Sequence, residues 1–97
     1  MGPASAPTGK ILSVDDHQVV LSGTIDILRQ HYPTYELLTT KTAQEALELL
    51  ANHHLSLAIL DLSIPDAYHQ DAKVETGIEL LRQVMKNYPE QNIAVQS

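Results

Sequence analysis

Cysteine, phenylalanine and tryptophan are all missing from this 97-residue chain, and tyrosine, with four copies, is its only aromatic residue. Without cysteine there is no disulfide scaffold and no thiol chemistry, which suits a reducing compartment and makes the cytoplasm the expected location. No apolar run approaches the length needed to span a membrane, and no signal-peptide pattern is present. Basic side chains are also scarce: 6 Lys and Arg stand against 12 Asp and Glu, a net charge of −6. That balance argues against this domain gripping nucleic acid itself. No internal repeat, Walker loop, dinucleotide fingerprint or Ser-His-Asp pattern occurs.

What remains is an aliphatic chain, 43% hydrophobic, long enough for one small domain with a real core. Residues 1–9 are small, Pro-containing and uncharged in their side chains, and read as a disordered leader or tag. The folded unit is expected over 10–97.

Two apolar runs end in acid. Ile11-Leu12-Ser13-Val14 runs into Asp15 and Asp16, and Leu57-Ala58-Ile59-Leu60 runs into Asp61, with Pro65 four residues on. Apolar runs of this length read as buried parallel strands. Ligands of open α/β sheets bind beyond the carboxyl ends of the strands, so adjacent strands would bring three carboxylates into one crevice. Crowded carboxylates repel one another, and such a site calls for a hard cation such as Mg²⁺ or for bound protons. That is a setting for phosphoryl chemistry on an aspartate. For Asp15 and Asp16 alone the plainer role is helix capping at a strand-to-helix turn.

Strands are expected over Lys10–Val14, Tyr35–Thr39, Leu57–Leu60 and Asn92–Val95. Helices are expected between them. The first runs from His17 to Gln30, with Val20, Leu21, Ile25 and Leu28 as its buried stripe. The second is opened by a capping box of Thr42 and Glu45 and buries Ala43, Ala46, Leu47 and Leu50. The third repeats the box spacing at Thr76 and Glu79 and buries Ile78, Leu81, Val84 and Met85. Tyr32-Pro33 and Tyr88-Pro89 end the first and third helices, because a residue before proline is pushed out of helical geometry. Alternating strands and helices imply a parallel α/β sheet with right-handed crossovers. His17 reads as a helix-start residue beside the acids, and Asp66 as a solvated turn residue.

Lys10 to Ser97 resembles the receiver domain of bacterial two-component response regulators. The matching pieces are Val14-Asp15-Asp16-His17, Leu60-Asp61-Leu62-Ser63-Ile64-Pro65, Gly77-Ile78-Glu79-Leu80-Leu81 and Ile93-Ala94-Val95-Gln96-Ser97. The Asp-Asp-His opening with Gly23 further on resembles the subgroup attached to LuxR-type helix-turn-helix domains. The resemblance implies a flavodoxin-like open sheet in the order 2-1-3-4, incomplete relative to the family. It implies Asp61 as the phosphoacceptor. It makes Asp15, Asp16 and Asp61 ligands of Mg²⁺, joined by the backbone carbonyl of Ser63, and makes Ser97 a phosphoryl contact. It implies a non-enzymatic signalling module whose partner is a sensor histidine kinase and whose full-length protein controls transcription.

Two departures from the family pattern stand out. The stretch between Asp66 and Thr76 is long and polar, and reads as a mobile insertion beside the site. The chain also stops at Ser97, before the helix, strand and helix that complete a receiver. The usual lysine of the fifth strand has no counterpart, since Lys10, Lys41, Lys73 and Lys86 stand elsewhere in the pattern. An uncovered face and an open strand edge are then expected, leading to a homodimer or a domain-swapped assembly. The alternative is a phosphorylation-impaired module acting through dimerisation or protein binding. A phosphatase of the haloacid dehalogenase type ranks last, because it needs an acid where Ser63 stands.

Overall fold

The computed structural model describes residues 8–68 and 70–96. The elements follow one another as β1 (Lys10–Val14), α1 (Gln18–His31), β2 (Glu36–Thr40), α2 (Ala43–Asn52), β3 (Leu57–Asp61), α3 (Val74–Asn87) and β4 (Ile93–Gln96). All four strands are parallel, in the order β2-β1-β3-β4. This is the flavodoxin-like arrangement and strand order expected from the sequence. No helix of the described residues is long and apolar enough to cross a membrane.

Strands β1 and β3 lie side by side, with Val14 in register with Leu60. Both are apolar on both faces because both faces are covered. Leu12, Val14, Ala58 and Leu60 pack with Ala43, Ala46 and Leu50 of α2 and with Leu80 and Val84 of α3. On the opposite face Ile11 and Ile59 meet Leu28 of α1. The edge strand β2 is the most polar of the four, with Glu36 exposed.

Local signals explain most boundaries. Thr42 caps α2, its Oγ1 accepting from the Glu45 backbone N–H at 3.2 Å. The Glu45 side chain does not close the box on Thr42. It accepts instead from Thr40 Oγ1 at 2.8 Å and from Tyr68 Oη at 2.6 Å. The two Tyr-Pro stops behave alike: Tyr32 N–H donates to the Leu28 carbonyl and Tyr88 N–H to the Val84 carbonyl.

Three expectations are corrected. The third helix opens at Val74, with Lys73 as its N-cap and no side-chain capping bond, so Thr76 and Glu79 lie inside it. The cause is non-local: Lys73 bridges Ile64 in an antiparallel pair, its N–H donating to the Ile64 carbonyl at 3.1 Å, which starts the helix early. The stripe of α3 is accordingly Gly77, Leu80 and Val84, while Ile78 and Met85 are exposed. In α1, Leu21 and Leu28 are buried but Val20 is 48% exposed.

The long segment after Pro65 is tethered. The Pro65 and Asp66 carbonyls accept from the Ala43 and Gln44 N–H groups, satisfying donors that the first turn of α2 leaves free. Tyr68 then fastens the segment to Glu45. The Tyr68 hydrogen bond, followed by that from Thr40, holds the Glu45 carboxyl below its usual range, and the bond to Glu45 raises the Tyr68 hydroxyl. Thr8 and Gly9, at the end of the expected leader, bond to Thr34 and Glu36. The other leader residues, 1–7, lie outside the described ones.

Candidate functional site

Strand geometry builds the site. Asp61 is the last residue of β3, and Asp15 follows the last residue of the adjacent β1. Parallel neighbours of matched register end together, so the three acids expected from two distant segments converge at one end of the sheet. Asp15, Asp16, His17 and Asp61 each offer one donor atom, and these four atoms all lie within 4.8 Å of one another. Among the described residues this is the one such cluster. Asp15, His17 and Asp61, with Val20, Ser63 and Gln96, line an open cleft of about 310 Å³.

Each acid is held differently. Asp15 is buried; its Oδ1 accepts the His17 backbone N–H at 2.9 Å, a local turn that returns the chain over its own carboxylate. Asp61 Oδ1 accepts the Ser63 N–H at 3.1 Å, which fixes the rotation of its carboxylate. Asp16 Oδ1 is shielded from solvent and has no hydrogen-bond partner among the described residues. Burial, followed by repulsion from Asp15, raises the Asp61 pKa, partly offset by the Ser63 N–H.

His17 is the residue that sequence reasoning undervalued. It is the N-cap of α1, as expected of a helix-start residue. Its ring, however, turns back into the acidic cluster. Nδ1 stands 3.0 Å from Asp15 Oδ1, 3.1 Å from Asp16 Oδ1 and 3.8 Å from Asp61 Oδ2. The hydrogen bond to Asp15 and then the charge of Asp16 raise its pKa. The available signal was its direct adjacency to Asp15 and Asp16.

No lysine or arginine nitrogen of the described residues comes within 4.0 Å of these three carboxylates. Lys10 lies at the far end of β1, its Nζ 2.8 Å from His53 Nδ1. Ser63 lines the cleft. Ser97 follows Gln96, which is in register with Asp61, but lies outside the described residues. His69 lies outside them as well.

A parallel sheet of this order with acids gathered at its carboxyl end defines a class, and comparison identifies it. The sequence profile of the response regulator receiver domain matches residues 11–97. The chain therefore belongs to the response regulator receiver family. No curated protein matches it.

Solved structures agree. A CheY-like response regulator receiver domain protein from Methanospirillum hungatei JF-1 is 31% identical, with a TM-score of 0.72 over 90% of this chain and 62% of that one. A LuxR-family two-component response regulator from Aurantimonas sp. SI85-9A1 is 25% identical, with a TM-score of 0.70 over 91% of this chain and 57% of that one. The response regulator TrrA from Thermotoga maritima, in complex with Mg²⁺ and a beryllium fluoride, is 24% identical, with a TM-score of 0.73 over 89% and 66%. The chain thus spans less than two thirds of the length of each.

Proposed function

We propose that this receiver domain accepts a phosphoryl group on Asp61 from a sensor histidine kinase, with Mg²⁺ held by Asp15, Asp16, Asp61 and the backbone carbonyl of Ser63. The observation that carries the reading is the convergence of three carboxylates within one 4.8 Å cluster. Their chemistry fits a hard divalent cation: hard oxygen donors, one of them a shielded oxygen with no hydrogen bond among the described residues, and an Asp61 carboxyl raised by burial and by Asp15. When bound, Mg²⁺ supplies charge neutralisation at a phosphoryl group that carboxylates would otherwise repel.

The chain's own residues do the rest. Asp61 reacts as the carboxylate: one of its oxygens forms the bond to phosphorus while the phosphorus–nitrogen bond of the donor phosphohistidine breaks. The Ser63 N–H holds that carboxylate in one orientation. Ser97 would contact the phosphoryl group. The acyl phosphate adds charge and acceptor oxygens beside the start of α1 and the segment after β3, which is the local event of a switch. Control of transcription through an attached helix-turn-helix domain, and a cytoplasmic location, belong to the same reading. So does self-association or swapping, for which exposed Val19, Ile27 and Val95 offer apolar surface.

Incubation with a small phosphodonor tests the reading. Labelling is expected with Mg²⁺ and not without it, and Asp61→Asn is expected to abolish it. Because the Asp61 pKa is raised, labelling should climb as pH rises through that value and then level off. Labelling that survives Asp61→Asn would contradict the assignment.

A further inference from the structure

The acidic pocket holds one side chain to which phosphoacceptance gives no task. The His17 ring is largely solvent-exposed, with its side chain at 62%, so core packing does not put it there. Yet its Nδ1 is the one nitrogen side-chain atom of the cluster, at 3.0, 3.1 and 3.8 Å from oxygens of Asp15, Asp16 and Asp61. These separations have a geometric meaning. Metal–donor bonds of about 2.1 Å at right angles set neighbouring donor atoms about 3.0 Å apart, and donors on opposite sides of the ion about 4.2 Å apart. Two of the His17 separations match an edge of such a polyhedron, and the third lies between an edge and a diagonal.

We propose that His17 Nδ1 is a fourth, nitrogen ligand of the cation pocket, which biases the pocket toward divalent ions that accept imidazole, Co²⁺ among them, relative to Mg²⁺. The inference rests on the reading of Asp15, Asp16 and Asp61 as a cation pocket. Mg²⁺ prefers oxygen donors and keeps several of its waters, so it gains little from a ring nitrogen. Later first-row ions bind imidazole well and follow a rising order of affinity toward copper. The local turn that bonds the His17 backbone N–H to Asp15 Oδ1 delivers the ring to the pocket before any ion arrives, with Nδ1–H donating to the same oxygen; the ion takes the place of that proton, which is released to solvent.

Calorimetric titration of the whole chain with Co²⁺ and with Mg²⁺ tests this, alongside proton NMR of the Co²⁺ form. The wild-type chain should show an exchangeable imidazole N–H resonance shifted far outside the diamagnetic range by directly bound Co²⁺, absent in His17→Ala. The ratio of Co²⁺ to Mg²⁺ affinity should fall about tenfold or more in His17→Ala and in His17→Asn, which keeps a polar residue at the helix start. An unchanged ratio, or no shifted resonance in a wild-type chain that binds Mg²⁺, overturns the His17 assignment and leaves the carboxylate pocket standing. Failure of the wild-type chain to bind either ion overturns both.

Discussion

The two faces of the sheet differ in how completely they are sealed. One face, under α2 and α3, joins eleven buried residues from four elements and two connecting loops into a single cluster. The other, under α1 alone, joins just Ile11, Leu28 and Ile59 into a buried cluster, with Ile25, Tyr35, Leu37 and Leu57 partly covered, and the buried Leu21 of α1 lies outside it. The strands supply similar aliphatic residues to both faces, so residue type does not make the difference. The number of helices above each face does. On α1, Val19 at 86% and Ile27 at 58% exposure are apolar residues left open to solvent, whereas Leu80 and Val84 of α3 are enclosed.

Truncating one side chain on each face is the strongest way to break this contrast. Leu60→Ala on the sealed face should cost about 3–5 kcal/mol, and Leu28→Ala on the open face about 2 kcal/mol, read from denaturant unfolding. Equal losses would mean that the open face is as tightly packed as the other.

The two helix glycines sharpen the point, because one substitution should have opposite signs. A Cβ on Gly77 would meet the backbone of Leu62, including its carbonyl oxygen, and backbone cannot swing aside. Gly77→Ala should therefore cost about 1–3 kcal/mol. Gly23 has nothing within 4 Å of such a Cβ. Gly23→Ala should stabilise by up to about 1 kcal/mol through helix propensity. Thermal midpoints that move in the same direction would contradict this.

The smallest effects belong to the exposed apolar residues of α1. Val19→Gln and Ile27→Gln should each change stability by no more than about 0.5 kcal/mol. A larger loss would show that something covers these positions in solution, and a concentration-dependent loss would identify it as a second copy of the chain.

Much of this was legible in the sequence, for identifiable reasons. Strands β1 and β3 declared themselves because apolar runs flanked by acids have few other interpretations, and the two Tyr-Pro stops act within a single turn. The strand order came from the family resemblance. The start of α3 was not legible, since it depends on Lys73 pairing with Ile64 nine residues earlier, and local capping signals at Thr76 and Glu79 carry no trace of that bridge. The same shift moved the buried stripe onto Gly77, a position without a side chain to mark it. In the site, the three acids were placed together by strand logic alone. His17 was not, because an N-cap residue ordinarily faces solvent, and only the turn onto Asp15 brings its ring back.

Titration of Mg²⁺ into the chain, followed by the backbone amide resonances of Asp15, Asp16 and Asp61, tests the central claim most directly. A single shared cation pocket predicts that all three shift together along one binding curve, and that Asp61→Asn weakens the response at Asp15 and Asp16. Separate curves, or a response at Asp61 without one at the other two, would contradict it.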